Sequence, residues 1–113
     1  MLRDKPSLID IFNACESIGR FIKYKAKDDF YNDEMMQEAV IRKIEIIGEA
    51  SNRVSDELKK RFSELPWRKM RAMRNIMIHM YDELEIEIVW ETANKDIPKL
   101  KSQLEEIIHL LEE

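Results

Sequence analysis

The chain has 113 residues, room for one domain around one core and not for two. Hydrophobic residues make up 44% and charged residues 37%, with only two glycines and three prolines, a mixture that excludes both a disordered chain and a many-turned β fold. The net charge of −4 argues against a broad nucleic-acid track. No apolar run is long enough to span a bilayer. The opening MLRDKPSL carries charges where a secretory signal needs an apolar stretch, and a single cysteine, Cys15, excludes an internal disulfide, so a cytoplasmic location is expected.

Helical periodicity predicts a first helix from about Ser7, as N-cap, to Lys25, with Leu8, Ile11, Phe12, Cys15, Ile18 and Ile22 on its apolar stripe. The polar segment Ala26 to Asn32 breaks the pattern. A second helix is predicted over Asp33 to Val54, its stripe being Met36, Val40, Ile44, Ile47 and Ser51. Ser55 reads as the cap of a short third helix, Asp56 to Phe62. Pro66 suits the first turn of a fourth helix running to about Met80. Asp82 and Glu85 have capping-box spacing. Leu84 to Ile88 alternates like a strand, but Ile86, Val89, Trp90 and Ala93 continue at helical spacing, so helix is preferred. Pro98 must kink or divide this last region, which resumes with Leu100, Leu104, Ile107, Ile108 and Leu111. The expected fold is all-α: an up-down bundle of four to five helices in a single domain over 1–113. Gly19 and Gly48 interrupt two of the helices, and close helix–helix approach is expected to compensate. Cys15 reads as a buried structural thiol.

The charge is unevenly distributed. Between Lys59 and Arg74 lie Lys59, Lys60, Arg61, Arg68, Lys69, Arg71 and Arg74, opposed only by Glu64. On a helical wheel Met70, Met73, Ile76, Met77 and Met80 face one way, whereas Arg68, Arg71, Asn75 and His79 face the other without a carboxylate among them. Arg74 falls about 140° from His79, so either its long side chain reaches round or two copies of the helix combine. These residue types suit cleavage of RNA without a metal. Histidine serves as base or acid near neutrality, and arginine clamps a phosphate with two parallel hydrogen bonds. Arg68 and Arg71 are candidate substrate-binding residues, and Asn75 a supporting polar group. With His79 and His109 the only histidines and no acidic cluster beside them, neither a metal site nor a cofactor is expected. His109 lies off its helix's apolar stripe and reads as solvated.

The string Arg74-Asn75-Ile76-Met77-Ile78-His79-Met80-Tyr81 resembles the Arg-x4-His-x-Tyr motif of the HepT-like toxins of the HEPN superfamily. Val40 to Ala50, Leu65 to Met73, Glu87 to Trp90 and Asp96 to Leu100 are similar to that family's flanking blocks, so the resemblance covers about Ile9 to Leu104. It implies a helical homodimer with the motifs in a shared cleft, acting as a metal-independent ribonuclease in a toxin–antitoxin pair. Arg74 and His79 would be catalytic and Asn75 supporting. Tyr81 would be the residue to which a minimal nucleotidyltransferase antitoxin attaches AMP. Two rival expectations are a non-catalytic helical module that docks a nucleotide or acidic partner, and a nucleotidyltransferase accessory subunit.

Overall fold

A computed structural model describes residues 2–75 and 83–112, with side chains described from residue 3 and from Ile86 in the second segment. Every regular element among them is helical. A 3-10 turn, Leu2–Asp4, leads into α1 (Lys5–Ile22), followed by α2 (Lys27–Tyr31), α3 (Glu34–Arg53), α4 (Asp56–Arg61), α5 (Trp67–Met73) and α6 (Glu83–Glu91). A π-helical turn, Thr92–Asp96, then joins α6 to α7 (Ile97–Leu111). The helix preferred over a strand for Leu84 to Ile88 is present.

Caps explain the boundaries that match. The Asp33 carboxylate accepts from the Met36 amide at 3.0 Å and opens α3, and the Ser55 hydroxyl accepts from the Leu58 amide at 3.2 Å and opens α4. The start of α1 differs from expectation. It begins at Lys5, with Pro6 in the first turn, and Ser7 is a buried residue inside the helix rather than its cap. Asp4 holds the N-cap position, yet its carboxylate accepts from the backbone amide (2.8 Å) and hydroxyl (2.6 Å) of Ser55, tying the start of the chain to the α3–α4 junction. The segment Ala26 to Asn32 is not a plain break, since α2 occupies most of it. There Phe30 is fully buried and its ring lies 5.2 Å from that of Trp90 on α6.

The core is one cluster. α1 contributes Leu8, Ile11, Cys15 and Ile18; α3 adds Val40, Ile41, Ile44 and Ile47; α5 adds Met70 and Met73; α7 adds Leu100, Leu104 and Ile107. Phe12, Ile22 and Met36, expected on the apolar stripes, are only half-buried. α1 packs on α3 and α7, and α5 packs on α3, the neighbour pattern of a helical bundle. Pro98 stands in the first turn of α7, where its missing amide hydrogen costs nothing, and the π turn just before it takes up the change in the hydrogen-bond ladder. No helix among the described residues is long and apolar enough to cross a membrane.

Candidate active site

The site is built where α5 meets α3. Around Trp67, the first residue of α5, the indole Nε1 donates to the Phe62 carbonyl at 3.0 Å, fixing where the helix begins. Met70 and Met73 then bury its inner face at 0% and 7% exposure, and the Lys69 ammonium pairs with Asp96 of the π turn at 2.9 Å. The α5 helix ends at Met73, and the expected end at Met80 lies outside the described residues. Arg74 keeps right-handed helical angles, and the Asn75 amide donates to the Ala72 carbonyl at 3.1 Å, a tightened three-residue turn.

Gly48 sets how closely this turn approaches α3. A methyl group placed on Gly48 would lie 2.7 Å from the Arg74 Cβ and 2.9 Å from its Cα, and would also meet the Arg74 backbone nitrogen. Only hydrogen fits, so the missing side chain of α3 is what lets Arg74 sit where it does. The expected close approach is therefore real at Gly48. It is absent at Gly19, around which a methyl would find nothing within 4 Å among the described residues. One residue short of a full turn beyond Gly48, the buried Ser51 hydroxyl donates to the Gly48 carbonyl at 2.8 Å and ties up that acceptor.

On the outer side of this contact lies an open groove of about 750 Å³, lined by Arg68, Arg71, Ala72, Arg74 and Asn75 and, from α3, by Asn52. The structure thus gathers four of the residues singled out in the sequence, including Arg74, which the wheel set apart from the stripe. Asn52 was missed. Its signal was its place four residues after Gly48, on the same face of α3. None of these arginine and asparagine side chains hydrogen-bonds or ion-pairs with another described residue. By contrast Arg42 pairs with Glu45, Arg20 with Glu16 at 3.8 Å and Arg53 with Asp10 at 3.2 Å. Three neighbouring guanidiniums with no acid beside them among the described residues form a donor-only cluster suited to an anion, above all to the paired oxygens of a phosphate. His79 and Tyr81 lie outside the described residues, as do Ile76, Met77, Met80 and Asp82.

Elsewhere, Cys15 is 1% exposed, and burial pushes its thiol up from 9.0 to about 12, the state of a packing group rather than a nucleophile. His109 is exposed on α7, far along the chain from the groove. Among the described residues no group of three His, Cys, Asp or Glu side chains could hold a metal ion.

The family model described as "Ribonuclease HepT-like" matches residues 11–107, nearly the whole helical core and all of the groove. The chain belongs to this family. This HepT-like chain is 41% identical over 103 residues to a Thermococcus cleftensis protein named "Probable ribonuclease HepT", covering 91% of the chain and 94% of that protein. It is 35% identical over 108 residues to a Caldanaerobacter subterraneus subsp. tengcongensis protein named "Putative RNase", covering 96% of each. It is also 41% identical over 103 residues to a Methanocaldococcus jannaschii protein named "Gamma-glutamylcyclotransferase and putative RNase", but there 91% of the chain spans only 45% of the relative. No solved structure matches the chain.

Proposed function

We propose that the chain is a ribonuclease that cuts RNA without a metal, and that it works as the toxin of a toxin–antitoxin pair. One observation carries the reading: in a HepT-like chain, three arginines with no carboxylate partner among the described residues line one groove at the start of the Arg-x4-His-x-Tyr string. In this reading Arg68 and Arg71 draw the RNA backbone in, and Arg74 clamps the scissile phosphate as charge builds on it. His79 takes the proton of the attacking ribose 2′-hydroxyl, and Asn75 orients the phosphate or the imidazole. The whole chain acts as one HEPN-like unit. Two copies set their motifs face to face across a two-fold axis, each completing the other's cleft.

The partner that silences it is a minimal nucleotidyltransferase, and its target is Tyr81. AMP attached there adds bulk and a negative phosphate at the end of the motif, where the charge competes for Arg74. The test is cleavage of tRNA and mRNA by the purified protein in EDTA. Cleavage is expected to persist and to leave 2′,3′-cyclic phosphate ends, and His79→Ala and Arg74→Ala should each lose roughly 10²–10⁴-fold in rate. A requirement for a divalent metal would overturn the mechanism. Binding of RNA or nucleotide with no cleavage would favour a docking module instead.

A further inference from the structure

The two sides of the groove differ in charge, three cations on one and a neutral amide on the other. The α5 side presents the guanidiniums of Arg68, Arg71 and Arg74, which only donate hydrogen bonds, and ends on the Asn75 amide next to Arg74, already given to the phosphate or the imidazole in the reading above. The α3 side presents Asn52, an exposed amide with no hydrogen-bond partner among the described residues. An amide both donates and accepts, so it can satisfy the mixed edge of a nucleobase, which a guanidinium cannot. A nucleotide has the same division: its phosphate is an acceptor only, and its base carries donors and acceptors side by side. The short distance between the two sides is set by Gly48, one turn before Asn52 on α3, which brings the Arg74 backbone against that helix. A phosphate held by Arg74 therefore has Asn52 in the same groove, on its α3 side.

We propose that Asn52 is a specificity-determining residue, contacting the base edge of a nucleotide beside the phosphate that Arg74 holds. The proposal rests on the ribonuclease reading and adds to it a base preference with a named origin. Single-stranded RNA suits such a contact, because its unstacked bases expose their edges to side chains.

The experiment is to cut a randomised RNA pool with the wild type, Asn52→Ala and Asn52→Asp, and to sequence the new ends. The wild type should enrich particular bases at one position flanking the cut. Asn52→Ala should flatten that enrichment while slowing total cleavage about tenfold or less, as for one lost hydrogen bond. Asn52→Asp, which keeps the size and replaces the donor by a second acceptor, should redirect the preference rather than merely flatten it. Because Asn52 is exposed and has no hydrogen-bond partner among the described residues, thermal unfolding should shift little in either variant. An identical base profile in the wild type and Asn52→Ala would overturn the proposal and leave the ribonuclease reading standing. A wild type that cuts without base preference would do the same. A wild type that cuts no RNA at all would overturn both.

Discussion

Cys15 behaves as a pH gauge of the core. Its thiol stays protonated in the folded protein up to about 12, whereas in the unfolded chain it ionises near the ordinary value of 9.0. The folded state therefore keeps a proton that the unfolded state has lost across that window, and stability must fall as pH rises through it, by up to about 1.4 kcal/mol per pH unit. Wild type and Cys15→Ala followed by thermal unfolding from pH 8 to 11 should show the steeper decline in the wild type. Parallel slopes would contradict the burial of the thiol. Asp4 supports a second prediction. It is 2% exposed and accepts two hydrogen bonds from Ser55, so Asp4→Ala should destabilise the fold by roughly 1.5–3 kcal/mol, read from the urea midpoint. The first role was legible in the sequence and the second was not. Cys15 lies on a periodic apolar stripe, whereas Asp4 and Ser55 are 51 residues apart and nothing local joins them.

α5 has seven residues, too few to be stable alone, so its geometry is imposed by what it rests on. Met70 supplies the apolar anchor and Lys69 an exposed ion pair, and the two should differ in weight. Met70→Ala should cost about 2–5 kcal/mol and loosen the arginine wall, lowering RNA cleavage even at temperatures where the protein stays folded. Lys69→Ala should cost about 0–1 kcal/mol, since its pair with Asp96 is open to solvent. Equal losses in thermal unfolding would show that α5 is held electrostatically. The longer helices could be read from sequence because 18 residues in α1 and 20 in α3 repeat the apolar period several times. With five residues, α2 could not be, nor could the π turn, whose slipped hydrogen bonds leave the apolar spacing nearly unchanged. The groove was half legible. Arg68, Arg71, Arg74 and Asn75 share one short stretch, but their meeting with Asn52 depends on how α5 lies across α3.

At the scale of the whole molecule the acidic total and the basic groove oppose each other. The chain carries −4 overall, so long-range attraction for RNA is weak and binding must come from the few cations at the groove. Affinity for RNA should then fall with salt on a shallow slope, corresponding to about three phosphate contacts per groove rather than a long track. A salt titration of His79→Ala, which should bind without cutting, measures that slope directly. A steep slope would place additional cations on the RNA path. The proposed pairing of two copies predicts a dimer by light scattering at micromolar concentration. An active monomer would sink the shared-cleft arrangement.

The contact between Gly48 and Arg74 has a genetic consequence. Any single-base missense change in a glycine codon installs at least one carbon, and at codon 48 that carbon collides with backbone. A library of random mutants selected for lost activity should therefore accumulate hits at codon 48 as readily as at the motif itself, although this residue has no reactive group. At codon 19 the same spelling change meets no described residue, and Gly19→Ala should raise stability by up to about 1 kcal/mol through helix propensity alone. One chain thus holds two glycines in helices of similar length, one intolerant of every alternative and one open to improvement.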